Sequence, residues 1–279
     1  MRIFYIIISC AILATALLWL GRFNYLKRRT AAILAALSML VSGTLLLLAV
    51  LPGNSFYGPV ITHGPRAASN DFFSNNLAAS QTTKPRIALT FDDGPYPPYT
   101  QDLLKVLAAK NVHATFFMVG DNAAHYPDVV QAVQAGGHEI ALHAGYHVDL
   151  LKLGTQEAQA NITYGKHTLE RITGQQIKYM RPPHGFKDWH VLQIMQHENL
   201  QAVNWNIIPR DWTNPGVEVI ADRVCSEAKP DAIVLLHDGD SPKNKASRKQ
   251  TIAAVCLIID RLRAQGYEFV TIDQLINEK

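Results

Sequence analysis

Residues 86–95 of this chain have the sequence RIALTFDDGP. A short apolar run that stops at a Gly-Pro turn is typical of a buried β-strand. The run ends in two adjacent carboxylates, Asp92 and Asp93. Neighbouring side chains on a strand point to opposite faces, but a sharp turn brings two of them to one side. A solvated turn with two acids would have the same sequence, so the motif alone does not decide between the two interpretations.

The chain beyond this stretch alternates short apolar runs with longer amphipathic stretches. Such alternation predicts a parallel sheet covered by helices. Seven strands in roughly 190 residues predict an α/β fold, a small or incomplete (β/α) barrel rather than a large open sheet, with active residues just after the strands. The predicted strands are Ile87–Phe91, Ala114–Val119, Glu139–Leu142, Ile177–Met180, Gln201–Asn206, Ala232–Leu236 and Glu268–Thr271. The predicted helices are Thr100–Lys110, Pro127–Ala135, Thr155–Thr173, Asp188–Glu198, Val217–Ala228 and Ser247–Gln265.

Two histidines follow the third predicted strand, His143 directly and His147 four residues later. On a helical turn, residues at this spacing share one face, so both imidazoles can reach one metal ion. Two histidines and one carboxylate leave open positions for water, as in catalytic metal sites. Surface histidines also occur at this spacing. The position of the pair at a strand end, like that of Asp92 and Asp93, favours a metal site.

Three further strand ends carry polar residues. The sequence RPPHG occupies residues 181–185, DW occupies 211–212, and LLHDG occupies 235–239. The prolines fix the backbone, so Arg181 is held rigidly and can orient a carboxylate. A structural turn or a core histidine would explain each segment taken singly. Five polar strand ends in one domain favour an active site.

In this order and spacing, the motifs TFDDGP, HAGYH, RPPHG, DW and LLHDG resemble those of the NodB-type polysaccharide deacetylases, carbohydrate esterase family four. The resemblance covers about residues 86–275. It implies a distorted seven-stranded barrel and a divalent metal, usually zinc, with cobalt as a second candidate. It further implies hydrolysis of N-acetyl groups on an acetylated polysaccharide or oligosaccharide: peptidoglycan, a chitin-like oligomer or an exopolysaccharide. The choice between N- and O-deacetylation stays open.

The resemblance also implies a role for each matching residue. The expected catalytic residues are Asp92 as general base, Arg181 to orient it, His237 as general acid and Asp211 as the partner of that acid. The expected metal ligands are Asp93, His143 and His147. The expected substrate-binding residues are Leu235 and Trp212, around the acetyl methyl group, and His184, whose backbone N–H would help to hold the oxyanion.

Two positions depart from the family pattern. Ala144 stands where the family usually has Ser or Thr, and that hydroxyl normally steadies the histidine loop. Its loss is expected to weaken metal binding without removing a ligand. His184 stands where the family usually has Tyr. Because the backbone N–H is the group required there, we expect function to survive, with a packing role for the imidazole.

Two apolar runs, residues 3–20 and 31–51, precede the domain. At about 1.5 Å per residue, each is long enough to span a hydrocarbon layer of about 30 Å. The loop 21–30 between them has four basic residues and no acid, and such loops stay on the cytoplasmic side. This predicts a transmembrane hairpin in residues 1–51, with the catalytic domain, 86–279, at the cell membrane outside the cytoplasm. A cleaved signal peptide in the first run is the alternative.

Composition excludes one class of partner. The formal net charge is +3, but residues 1–51 hold five basic residues and no acid, which leaves 21 basic against 23 acidic residues in the remainder. The basic excess belongs to the membrane segment, and nothing indicates a nucleic-acid surface. Residues 52–85 are rich in Gly, Asn, Ser, Thr and Pro and predict a linker. Cys225 and Cys256 fit either one disulfide or two thiols.

Two other functions compete with hydrolysis of a polysaccharide. A membrane hairpin would favour a substrate at the membrane surface, such as an acetylated or formylated amino sugar linked to a lipid. A non-catalytic glycan-binding pseudo-enzyme would show a lost ligand or base, whereas every expected catalytic position is filled.

Overall fold

A computed structural model describes residues 3–65, 84–240 and 246–277. The described part contains seven strands and ten α-helices. The strands are β1 (Arg86–Asp92), β2 (Thr115–Met118), β3 (Glu139–Leu142), β4 (Tyr179–Met180), β5 (Gln201–Ala202), β6 (Ala232–His237) and β7 (Glu268–Phe269). The helices are α1 (Ile3–Arg22), α2 (Arg28–Val50), α3 (Tyr99–Ala109), α4 (Gly120–His125), α5 (Pro127–Ala135), α6 (Thr155–Thr173), α7 (Trp189–His197), α8 (Val217–Glu227), α9 (Lys249–Ala264) and α10 (Ile272–Asn277).

The strands form one parallel sheet in the order β5-β4-β3-β2-β1-β6, and β7 pairs with the first residues of β1. A bridge between Ile207 and Val234 joins the segment after β5 to β6, at the opposite end of that order. The sheet therefore curls back on itself as an incomplete barrel. The predicted α/β fold with seven parallel strands is confirmed.

Strand β1, which lies within residues 86–95, is an interior strand that pairs with β2, β6 and β7. All seven of its residues are buried because strands flank it on both sides and side chains cover both of its faces. In the β1–β6 register Asp92 lies beside His237, and in the β1–β2 register it lies beside Phe117. Parallel strands end at the same edge of a sheet, so the polar segments that follow them meet there.

Apolar spacing sets most helix bounds. In α6 the side chains of Ala158, Ile162 and Leu169 are buried on one face, and the helix stops at Gly174, whose φ of 66° is left-handed. The predicted bounds of this helix are those observed. Sequence patterns missed α4 and α10, because six residues are too few to show a helical period.

The fifth predicted strand is wrong in its length, since β5 ends at Ala202 rather than at Asn206. Beyond that point the chain changes partner: Asn204 donates its backbone N–H to the carbonyl of Ile61 at 2.8 Å. Ile61 also bridges Val203. A part of the predicted linker thus pairs with the chain just beyond Ala202, where a longer β5 would have continued.

The start of the predicted linker packs against the barrel. Ile61 donates its backbone N–H to Ala202, and Gly64 donates to Asp231, each at 2.8 Å. Residues 66–83 of the predicted linker lie outside the described residues. The boundary between linker and domain therefore stays a prediction.

Helices α1 and α2 pack against each other, with the Ser38 hydroxyl donating to the Cys10 carbonyl at 3.0 Å. By length and composition, α2 is the one helix among the described residues that is able to cross a membrane. The apolar part of α1 whose side chains are described, Ile7–Arg22, is shorter. The two-span hairpin therefore stays a prediction.

Candidate active site

The two adjacent carboxylates at the end of β1 both face one cavity of about 480 Å³. They converge because Asp93 has a left-handed φ of 76°, which turns the chain directly after the strand. A non-glycine residue adopts this conformation at a cost and is held there by its surroundings. The sharp turn that is needed to bring both carboxylates to one side is therefore present.

Arg181 fixes the orientation of Asp92. Its guanidinium is fully buried and donates from Nη1 to Asp92 Oδ1 at 2.5 Å. The remaining donors are also used: Nη1 reaches Thr90 Oγ1, and Nε and Nη2 reach the carbonyls of Val203 and Asn204. An arginine held at this many points leaves Asp92 one orientation, with Oδ2 directed toward the cavity side.

Asp93, His143 and His147 offer ligand atoms that all lie within 4.8 Å of one another. The Nε2 atoms of both histidines lie 3.3 Å from Asp93 Oδ1. Donors about 2.0–2.2 Å from a tetrahedral zinc ion lie roughly 3.3 Å apart, so the cluster fits such an ion. His143 Nδ1 lies 2.8 Å from the Arg181 carbonyl, which leaves Nε2 free to coordinate.

The two histidines converge from a loop. The helical turn predicted at His143–His147 is wrong, because no helix forms there and Ala144 has a left-handed φ of 67°. Asn161 on α6 holds this loop instead: its Oδ1 accepts the backbone N–H groups of Gly145 at 2.7 Å and Tyr146 at 3.2 Å. Asn161 thereby supports the histidine loop, which was expected to be held less firmly because Ala144 has no hydroxyl group.

His237, at the end of β6, lies beside Asp92 in the β1–β6 register, lines the same cavity and is held by Asp211. Its Nδ1 lies 2.9 Å from Asp211 Oδ1, and its backbone N–H donates to Asp211 Oδ2 at 2.9 Å. Thr251 adds a third hydrogen bond, from its hydroxyl to Oδ2. With Nδ1 occupied, Nε2 of His237 is the nitrogen available to a substrate.

The expected substrate-binding residues line the same cavity. Leu235 is buried, whereas Trp212 is partly exposed and packs edge-to-face on His237 with ring centroids 5.2 Å apart. His184 has a φ of 61°, and its imidazole contacts that of His147 at 5.0 Å between centroids. The structure thus brings together all ten residues that the sequence singled out.

The titratable groups that line the cavity differ in how their pKa values are shifted. Burial would raise the pKa of Asp93, but the hydrogen bond from His143 and the positive charges of the nearby histidines hold it well below its usual range. Burial lowers the pKa of His147 to about 4. Burial alone would lower the pKa of His237, but the Asp211 carboxylate outweighs it and raises that pKa to about 9. The cluster around Asp93 therefore attracts a cation, and His237 holds a proton.

Several residues of the site gave no usable signal in the sequence. Thr90 and Thr251 extend the hydrogen bonds of Arg181 and Asp211, and Asn161 supports the histidine loop from α6. Arg248, 2% exposed, lines the cavity, and its Nη1 has no hydrogen-bond partner among the described residues. Val50, the last residue of α2, also lines the cavity, together with Pro52.

Comparison with known proteins agrees with this geometry. A family model described as polysaccharide deacetylase matches residues 79–203. The chain is 35% identical to a chitooligosaccharide deacetylase of Sinorhizobium fredii, over 70% of this chain and 94% of that protein. It is 38% identical to a peptidoglycan-N-acetylglucosamine deacetylase of Bacillus cereus, over 69% of this chain and 89% of that protein.

A solved structure of the peptidoglycan deacetylase PdaC from Bacillus subtilis superposes with a TM-score of 0.63 at 31% identity, over 70% of this chain and 92% of that chain. On these matches, this chain belongs to the polysaccharide deacetylase family of hydrolases.

Proposed function

We propose that this chain uses a divalent metal to hydrolyse N-acetyl groups on an extracytoplasmic saccharide that contains N-acetylglucosamine. The observation that carries the proposal is one cavity with three components: a carboxylate fixed by Arg181, a three-ligand cluster, and a histidine fixed by Asp211. The names of the relatives, chitooligosaccharide and peptidoglycan deacetylases, support the same substrate class.

The residues divide the reaction between them. A metal held by Asp93, His143 and His147 would supply Lewis-acid polarisation of the amide carbonyl and would acidify water, with zinc the expected ion and cobalt the second candidate. Asp92 accepts the proton of the attacking water, because Arg181 directs its free oxygen into the cavity.

His237 donates a proton to the amine as the carbon–nitrogen bond breaks. An amine leaves poorly unless it is protonated, so an acid with a raised pKa is suited to this task. The backbone N–H of His184 contributes to stabilising the oxyanion, and Leu235 and Trp212 enclose the acetyl methyl group. Water adds to the acyl carbon, acetate leaves, and the sugar keeps a free amine.

The activity is tested by acetate release from chitooligosaccharides and peptidoglycan fragments, with the full chain in detergent. We expect a chelator to abolish release and zinc or cobalt to restore it. Full activity after thorough chelation would refute the metal-dependent mechanism. Metal bound without release from any acetylated saccharide would favour the pseudo-enzyme instead.

We also propose that the chain is held in the cell membrane by a hairpin of α1 and α2 with the barrel outside the cytoplasm. The basic loop 21–30 and the apolar surface of α2 support this topology. Reporter fusions after Leu51 and at the C-terminus test it, since an enzyme that is active only after export should work at both sites. A reporter restricted to the cytoplasm that is active at either site would reverse the topology.

A second candidate substrate is a lipid-linked amino sugar. One observation favours it: the last residue of the apolar helix α2 lines the catalytic cavity.

A further inference from the structure

The end of helix α2 is part of the wall of the catalytic cavity. Val50 and Pro52 line the cavity together with Asp92 and His237. Ala49, one residue earlier, is fully buried and belongs to the main hydrophobic core of the barrel domain. The apolar helix is therefore continuous with the catalytic domain, with no spacer between its last turn and the site.

Hydrogen bonds fix this attachment on the barrel side. Lys187 donates its backbone N–H to the Ala49 carbonyl at 3.0 Å, and its Nζ donates to the carbonyls of Leu51 and Pro52. Asn204 donates a further bond from Nδ2 to the Pro52 carbonyl at 2.8 Å. A cation beside the last carbonyls of a helix is favourable because it complements the helix dipole.

The segment that follows α2 returns along the helix. The Tyr57 hydroxyl donates to the Leu45 carbonyl at 2.8 Å, one turn before the helix ends. Large aromatic side chains beside this segment face outward: Phe56 is 63% exposed and Trp189 is 55% exposed. Exposed aromatic rings at the end of an apolar helix are typical of the boundary between membrane and water.

These contacts fix the height of the active site above the bilayer. The 23 residues of α2 span about 35 Å at 1.5 Å per residue, close to the thickness of a hydrocarbon layer. The last turn of α2 therefore lies at the membrane surface, and the catalytic cavity begins there. A saccharide reaches the metal ligands most directly when its own anchor lies in the same bilayer.

We propose that the substrate is a saccharide joined to a membrane lipid, whose acetamido group enters the cavity while its hydrocarbon chains stay in the bilayer beside α2. The inference rests on the proposed deacetylase function and on the hairpin topology. It names a substrate class: a lipid-linked N-acetylated amino sugar, deacetylated before it leaves the membrane. The products are acetate and a lipid that carries a free, positively charged amino sugar.

The test compares two substrates that differ only in hydrocarbon length. Both carry N,N′-diacetylchitobiose on a diphosphate, joined in one case to a long polyprenyl chain and in the other to a five-carbon chain that stays in water. The full chain is placed with each in vesicles of phosphatidylethanolamine and phosphatidylglycerol, and acetate release is measured. We expect kcat/KM for the membrane-borne substrate to exceed that for the soluble one by about tenfold or more, because both reacting partners share one surface.

A matched pair of insertions separates geometry from simple enrichment at the membrane. An insertion of about 24 glycine and serine residues between Leu47 and Leu48 leaves Ala49–Pro52 docked but lets the domain move about 25 Å from the bilayer. The control places the same insertion between Asn24 and Tyr25, on the other side of the membrane. The first insertion should reduce turnover of the long-chain substrate by about fivefold or more and leave the soluble substrate unchanged, and the second should change neither.

Equal kcat/KM for the two substrates, or no effect of the insertion after Leu47, would overturn the lipid-linked substrate. No acetate from either substrate, while chitooligosaccharides or peptidoglycan fragments are deacetylated, would also overturn the lipid-linked substrate. No acetate from any of these saccharides, with metal bound, would instead overturn the proposed deacetylase function. Retained turnover of the soluble substrate by the insertion variant shows that the barrel is folded, so a loss on the long-chain substrate alone supports the inference.

Discussion

Asp211→Asn removes the negative charge that keeps His237 protonated. The Asp211 carboxylate and its hydrogen bond outweigh burial and raise the pKa of His237 from 6.5 to about 9. That difference is a net stabilisation of the protonated imidazole on the order of 3 kcal/mol, to which Asp211 makes the largest favourable contribution. The imidazole is only 14% exposed, so solvent screens this interaction little. Without the charge, burial lowers the pKa of His237 and only the weaker effects of Asp93 and Asp92 still raise it, so we expect this pKa to fall to about its ordinary value of 6.5.

The sign of the effect follows from the role of the acid. His237 must be protonated to donate, so activity is present below its pKa and is lost as the pH rises through it. In the unchanged chain the alkaline limb of kcat/KM should lie near pH 9, and in Asp211→Asn near pH 6.5. At pH 8 the protonated fraction falls by about 30-fold, whereas at pH 6 it changes by less than about twofold.

The assay is the pH profile of acetate release, with metal content measured on the same samples. Thr251→Val is the matched control, because it removes one hydrogen bond to Asp211 and leaves the charge in place. We expect this control to move the alkaline limb only slightly. A uniform loss of activity in Asp211→Asn with an unmoved alkaline limb would refute the reasoning, since His237 would then not be the titrating acid.

Three further predictions concern Asp92, the metal-ligand cluster and Arg181. Asp92→Asn should abolish turnover and keep the metal, whereas Asp93→Asn should lose the metal; metal analysis that gives the reverse would exchange their roles. Ala144→Ser should leave metal affinity nearly unchanged, whereas Asn161→Ala should weaken it about tenfold in a chelator titration, because two loop N–H groups lose their acceptor. Arg181→Lys should lower kcat by about tenfold or more at unchanged metal content, since an ammonium group cannot replace four guanidinium hydrogen bonds; an unaltered kcat would show that Asp92 is oriented without it.

The common location of the candidate site residues could be predicted because of how a parallel barrel is built. Each strand contributes the residues just beyond its last apolar position, and all strands end at one edge. A local pattern such as the one at Asp92 and Asp93 therefore also specifies a place in the fold. His143 and His147 were placed correctly for this reason, although the backbone between them is a loop and not the predicted helical turn.

The partners that hold these residues could not be predicted in the same way. Asn161, which lies on helix α6, supports the histidine loop. Lys187 holds the end of α2, although about 135 positions of the chain separate the two. Hydrogen bonds of this kind join segments that have no common period or spacing. Their side chains resemble ordinary polar residues until the chain has folded.

The sequence by itself indicated which strand ends carry polar residues, the candidate metal ligands, a candidate acid and base, and an apolar segment long enough to span a bilayer. It did so because burial periodicity and covalent spacing are local properties of the chain. Only the tertiary structure decided that Val50 and Pro52 line the same cavity as Asp92 and His237. Hydropathy indicates which face of a helix avoids water, but the surface on which the helix end docks is set by long-range packing, and that packing joins the apolar helix α2 to the cavity.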